Sequence, residues 1–205
     1  MKLYGFPPSP NTRKVLAVAA ALEIPLEFAL VNLAAGEQRK PEYLALNPSG
    51  RTPTLVDGDF VLWESNAIMQ YLAGRRPNAL WPEDLKTRAD ISRWQCWQLA
   101  HWHEGTSKLI FQRVIKKLLG LGDPDPAEIQ RGEEAFHRDA KVLDGWLATR
   151  SFLVGGGPTL ADFAVAAYLE YAGPAQFPWD GYANLKAWYA RIDALPAWQK
   201  SRPKQ

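Results

Sequence analysis

The chain has 205 residues, 47% of them hydrophobic and 12% aromatic, enough for a substantial core in one domain or two small ones. Its formal net charge is only +2 and its Lys and Arg residues are scattered, which excludes the concentrated basic face that nucleic-acid phosphates require. No run approaches the ~20 apolar residues of a membrane span, and MKLYGFPPSP lacks an apolar core with a small-residue cleavage site, so neither an anchor nor a secretory leader is expected. The single cysteine, Cys96, excludes an internal disulfide and a four-cysteine metal site and fits a reducing cytoplasm.

Residues 2–5 read as a short strand, followed by the turn Pro7-Pro8-Ser9-Pro10. A helical pattern then covers 11–22, with Val15, Val18, Ala19 and Leu22 on one face. Residues 26–32 form a second strand, and the polar stretch 34–47 holds a short irregular helix. Segments 52–56 and 60–63 are strands joined by Asp57-Gly58-Asp59, a hairpin signal because Asp-Gly favours a tight turn. Residues 65–73 return to helix spacing with Ala67, Ile68, Tyr71 and Leu72. The order predicts a small α/β unit with a mixed sheet.

Residues 75–82 have two prolines and no periodicity, and they read as a linker. Beyond them no strand pair is expected. A long helical stretch, 87–119, places Ile91, Trp94, Trp102 and Leu109 on one stripe. After a break at 120–126, residues 128–148 carry Ile129, Phe136, Ala140, Leu143 and Leu147 at spacings of three, four and seven. Following Gly155-Gly156-Gly157-Pro158, helices at 160–172 and 182–194 complete an all-α second half. The expected domains are 1–76, a linker at 77–86, and 87–205.

Ser9-Pro10 has two compatible readings. Ser is a helix N-cap and Pro suits the first helical position; equally, a hydroxyl at a helix N-terminus donates to a bound anion, with Asn11 as a second donor. Pro53 is either a strand-start proline or a cis-proline that turns the Thr52 backbone toward a peptide ligand. Glu64-Ser65 is either a cap beside an acidic residue or an amino-acid clamp, Glu64 taking an ammonium and Ser65 with the helix N-terminus a carboxylate. Gln38, Arg39 and Lys40 are solvated surface or hold a second carboxylate. Thr159-Leu160-Ala161-Asp162 is a capping box whose loss should damage folding rather than chemistry.

His101 and His103, two apart on a helix, point to different faces, and no acidic cluster accompanies them, so no metal site is expected. His137 reads as surface. Cys96, between Trp94 and Trp97, is expected to be a buried structural thiol. No Ser-His-Asp set, phosphate loop or carboxylate pair is present.

Three segments taken together resemble the glutathione S-transferase family over nearly the full chain. YGFPPSPNTRKV is similar to its first strand–loop–helix in the cytosolic, bacterial-type, serine-containing class. NPSGRTPTLVDGDFVLWESNAIMQYLA carries Asn47-Pro48, Gly50, Pro53, Asp57-Gly58 and Glu64-Ser65 in family order, and GPTLADFAVAAYL resembles the capping box and buried helix of its second domain.

The resemblance implies a thioredoxin-like α/β N-terminal domain that binds glutathione, then an all-α helical-bundle domain, in a cytoplasmic homodimer that needs no metal. It implies Ser9 and Asn11 as catalytic, with Ser9 beside the glutathione sulfur. Thr52 and Pro53 would bind the cysteinyl backbone, Glu64 and Ser65 the γ-glutamyl end, and Gln38, Arg39 or Lys40 the glycine carboxylate. Phe6, Pro7, Trp97, His101, Trp102, His103 and Ser107 would line the pocket of a small apolar electrophile. A glutathione-dependent disulfide reductase or peroxidase on the same site, and a non-catalytic binding module, are the alternatives.

The chain also departs from particular classes of the family. The catalytic cysteine of some bacterial classes and the Ser-Ser-Cys of the zeta class are absent, and Tyr4 lies within the first strand.

Overall fold

The computed structural model describes residues 1–202. They form two compact units, Met1–Pro82 together with the described residues after Asp193, and Glu83–Asp193.

The first unit opens with β1 (Lys2–Gly5), α1 (Pro10–Ala21) and β2 (Glu27–Leu30). The stretch expected to hold an irregular helix has one 3-10 turn, Glu37–Arg39, and the one-turn α2 (Pro41–Leu44). The hairpin β3 (Thr54–Asp57) and β4 (Phe60–Trp63) leads into α3 (Ser65–Gly74). Asp57 pairs with Phe60, so the turn is two residues long, and Gly58 takes the positive φ of 63° that such turns need. The sheet runs β2-β1-β3-β4, with β1 parallel to β2 and the other pairs antiparallel.

Alternation along β1 buries Leu3 and Gly5. A β-carbon on Gly5 would lie 2.6 Å from Cγ2 of Thr12, so only a bare α-carbon lets α1 approach the strand this closely. Val15, Val18, Leu55, Ile68, Met69 and Leu72 are all fully buried in this core. Each such side chain contributes about 1.5–3 kcal/mol by leaving water.

One helix was not anticipated. α10 (Pro196–Lys200) packs on α1, within the first unit rather than with the domain that precedes it in sequence. The Arg13 guanidinium lies 4.2 Å from the Trp198 ring centroid, and it donates to Ser201 Oγ at 3.3 Å and to the Trp198 carbonyl at 3.4 Å. The return is invisible locally because the partner of Trp198 is 185 residues away in sequence.

In the second unit, the expected long helix spans α4 (Leu85–Trp97), a π-turn at Gln98–Trp102, α5 (His103–Ile110), a second π-turn at Phe111–Ile115 and α6 (Lys116–Leu119). Its apolar stripe is as read: Ile91, Trp94, Trp102 and Leu109 are buried. α7 (Pro126–Leu147) lies against α5, where Gly105 comes so near that a β-carbon would sit 2.6 Å from the Phe136 nitrogen. α8 (Leu160–Ala166), extended by a 3-10 segment at Ala167–Tyr171, and α9 (Ala183–Asp193) complete the unit.

The capping box at the start of α8 is present. Asp162 is fully buried and accepts four bonds: from the Leu153 nitrogen at 2.9 Å, the Thr159 nitrogen at 2.8 Å, Thr159 Oγ1 at 3.0 Å and Trp188 Nε1 at 2.9 Å. Burial pushes its carboxyl pKa up against the pull of those donors.

Cys96 corrects the expectation of a buried thiol: it is exposed. Trp94, Gln95 and Gln98 take the inward positions of α4 and its continuation, and Cys96 turns to solvent between them. No helix among the described residues is long and apolar enough to cross a membrane. None of their His, Cys, Asp and Glu side chains form a group of three that could hold a metal ion.

Candidate active site

Of the polar residues selected from the sequence in the first unit, Ser9, Asn11, Glu64 and Ser65 stand at the starts of its two longer helices, Thr52 just before β3, and Gln38, Arg39 and Lys40 in and after the 3-10 turn. Ser9 is the N-cap of α1 with Pro10 behind it, and its nitrogen bonds the Phe6 carbonyl at 2.9 Å across the Pro7-Pro8 turn. Its side chain makes no cap hydrogen bond. A capping hydroxyl would bond the helix backbone; here it stays at the helix N-terminus, half-buried, without that bond.

Ser65 is the first residue of α3, and Glu64 rather than Ser65 holds the cap position. Glu64 adopts φ 73° and ψ 109°, a region that side-chain-bearing residues avoid, and its own side chain is exposed. Such backbone is retained where its surroundings over-determine it, and it concentrates at ligand clamps. Ser65 Oγ donates to Asn11 Oδ1 at 3.2 Å, which couples the start of α3 to the first turn of α1.

The Thr52–Pro53 peptide is cis. A buried polar group brackets it. Tyr43 Oη and Asn47 Nδ2 both donate to the Arg51 carbonyl, at 2.6 and 2.8 Å, and both reach Thr54 Oγ1, at 2.9 and 3.1 Å. The residues on either side of Thr52-Pro53 are therefore tied to one scaffold. Burial also raises the Tyr43 pKa, so the phenol stays a donor at neutral pH.

Of the basic run, Lys40 pairs with Glu37 at 3.2 Å, Arg39 is exposed and Gln38 is half-buried with its Oε1 enclosed. Behind the site lies a residue that the sequence reading passed over as a scattered charge. Lys14 is fully buried, and its Nζ donates to Asn66 Oδ1 at 2.8 Å. Its spacing held the signal, because Lys14 falls four residues before Val18 on the apolar face of α1. Tyr43 carried no comparable signal, since its partners depend on how the loop at 45–53 folds back.

The chain matches the family model for the glutathione S-transferase N-terminal domain at residues 1–74, and that for the C-terminal domain at residues 126–191. It is 36% identical to glutathione S-transferase 3 of Zea mays, over 98% of this chain and 92% of that protein. The chain belongs to the glutathione S-transferase family. Among solved structures, glutathione transferase F7 of Populus trichocarpa superposes with a TM-score of 0.90 at 30% identity, covering 98% of this chain and 96% of that one. A theta-class glutathione S-transferase of Xanthomonas axonopodis pv. citri, solved with glutathione bound, gives 0.90 at 31% identity, covering 100% and 97%.

The thioredoxin-like and helical domains expected of a glutathione S-transferase are both present. The narrower bacterial-type class is not singled out, since these relatives come from plants as well as a bacterium. Of the seven residues assigned to an electrophile pocket, Phe6 and Pro7 follow β1 in the first unit and the other five belong to the helical unit. Trp102 is a correction. It is fully buried, with its indole N–H on the Val165 carbonyl at 3.1 Å and its ring 5.0 Å from Phe136, and it serves as a core side chain of the helical unit. Trp97, His103 and Ser107 are half-buried and His101 is exposed. The His103 ring meets Tyr168 edge-on at 5.3 Å, and its carbonyl accepts from Ser107 Oγ at 2.5 Å.

Proposed function

We propose that Ser9 donates a hydrogen bond to the sulfur of glutathione and holds it as the thiolate, which then attacks a small apolar electrophile. Membership of the family carries the activity itself: the chain is a glutathione transferase. The observation that supports the assignment to Ser9 is its hydroxyl, standing at a helix N-terminus without a cap bond.

The chemistry needs little more. A free thiol near pKa ~8.5 is only about 3% ionised at pH 7. Making the thiolate dominant takes a shift of ~2 units, or roughly 2.7 kcal/mol of preferential stabilisation. A hydroxyl hydrogen bond and the positive end of α1 together supply stabilisation of that order. The proton leaves to water, so no protein base is required.

The rest of glutathione follows from the same surface. The cysteinyl backbone lies along Thr52-Pro53, which Tyr43 and Asn47 hold in place. The γ-glutamyl ammonium meets Glu64, and its carboxylate meets Ser65 and the N-terminus of α3. Lys40 is engaged by Glu37, which leaves Gln38 and Arg39 for the glycine carboxylate. Within the first unit, Phe6 and Pro7, directly after β1, are the residues offered to the electrophile.

The protein acts as a homodimer in the cytoplasm, where a lone exposed cysteine stays reduced. Asn11 turns its side-chain oxygen to Ser65, which gives it a part in orienting the γ-glutamyl contact. A panel of chlorodinitrobenzene, hydroxyethyl disulfide and a peroxide tests the reading: the aryl halide should be the best substrate and should lose most of its turnover in Ser9→Ala. Preference for the disulfide, or unchanged turnover in the variant, would contradict it.

A further inference from the structure

A lysine with no exposed surface is an expensive thing to place in a core, and Lys14 is one. Its amine sits directly behind the turn that carries Glu64, Ser65 and Asn66, bonded to Asn66 Oδ1 at 2.8 Å. Asn11, three residues earlier on the same helix, holds Ser65 through the 3.2 Å bond already described. One face of α1 thus grips two successive residues at the start of α3.

Among the described residues, the elements packed against α1 bring these charged and titratable groups toward it. α3 brings Glu64 at its cap, whose charge favours the ammonium, and Tyr71, which is turned away to donate to Asp57 at 2.8 Å. α10, which also packs on α1, brings Lys200, and α1 itself brings Arg13, whose guanidinium is stacked on Trp198. Burial pushes the Lys14 pKa down to about 7, against the opposing pull of Glu64. The amine is therefore poised between its neutral and charged forms at physiological pH.

We propose that Lys14 is a positioning residue for the amino-acid end of glutathione: it holds Asn66 in place and becomes the buried counter-charge when the γ-glutamyl carboxylate is seated at the start of α3. The inference rests on the glutathione reading above. A negative charge arriving near a desolvated amine favours its protonated form, so seating the carboxylate draws a proton from solvent onto Lys14.

The test is calorimetric titration of the full chain with S-methylglutathione at pH 7.5, in buffers of different ionisation enthalpy. That ligand has no thiol proton to release, so net uptake reports the protein. The wild type should take up roughly half a proton or more per site. Lys14→Met should take up none and bind several-fold more weakly. Asn66→Asp, which sets a permanent carboxylate against the amine, should also abolish uptake while Lys14 is still present.

Binding by the wild type without uptake, or uptake retained in either variant, overturns the role of Lys14 and leaves the glutathione reading standing. Failure of the wild type to bind S-methylglutathione at all overturns the glutathione reading, and this inference with it.

Discussion

The hydroxyl of Ser65, at the first position of α3, donates to Oδ1 of Asn11 in the first turn of α1 across 3.2 Å. The residue proposed to hold the γ-glutamyl carboxylate is therefore oriented by a residue two places from the proposed sulfur contact, Ser9.

That bond changes what Asn11 is expected to do. As a second donor to sulfur it would control turnover; as the orienter of Ser65 it controls how well glutathione is held. Asn11→Ala removes one hydrogen bond, worth about 1 kcal/mol. The KM for glutathione should rise about five-fold, with kcat changed less. Steady-state kinetics at saturating electrophile decides this, and a fall in kcat at constant KM would return Asn11 to the sulfur.

Lys14 makes stability depend on pH with a definite sign. Its folded pKa is lowered to about 7 from an ordinary value of 10.5, so between these limits the unfolded chain binds more protons than the native one. Stability contributed through this group therefore rises as pH climbs from about 7 toward 10.5, by at most ~1.4 kcal/mol per unit, and levels off below about 7, where both states are protonated. Urea unfolding of wild type and Lys14→Met at pH 6, 7, 8 and 9 isolates the effect. The wild type should gain on the variant steadily above pH 7. A difference independent of pH would show that the amine titrates normally.

Asp162 should matter to the fold alone. Four donors converge on its buried carboxylate, and an asparagine would face at least one of them with its own N–H. Asp162→Asn should lose about 3 kcal/mol in denaturant unfolding, while the folded fraction keeps its KM for glutathione. A normal unfolding midpoint would contradict the convergence of those bonds.

Gly105 makes a steric prediction in the helical unit. A β-carbon there would press on the α7 backbone at 2.6 Å, with no flexible side chain to give way. Gly105→Ala should destabilise the chain by about 1–3 kcal/mol despite alanine's better helix propensity. Thermal unfolding reads the sign, and a stabilised variant would mean that α5 and α7 move apart freely.

These residues also mark how far the sequence could be read. Helices with a clean apolar stripe were legible, because Ile91, Trp94, Trp102 and Leu109 keep helical spacing even across the π-turn at Gln98–Trp102. The β3–β4 hairpin was legible because Asp57-Gly58 is a local signal with a local cause. Ser9, Thr52-Pro53 and Glu64-Ser65 could be selected because helix starts and strand-entry prolines announce themselves in sequence.

What was missed depends on distant partners. The return of α10 to α1 rests on Arg13 and Trp198. Burial of Lys14 rests on Asn66, 52 residues away. Tyr43 and Asn47 acquire their role only when the loop ahead of β3 closes over them. Cys96 went wrong for a subtler reason: tryptophans on either side in sequence lie on other faces of the helix and say nothing about the face between them.

The central claim concerns the hydroxyl of Ser9 and the sulfur beside it. Titrating the ultraviolet absorbance of the thiolate in the glutathione complex, for wild type and for Ser9→Ala, measures that relationship without the electrophile or its pocket. The wild-type complex should ionise about 2 units below the free thiol, and the variant should return most of the way toward ~8.5 while still binding glutathione. Identical midpoints in the two complexes would contradict the account.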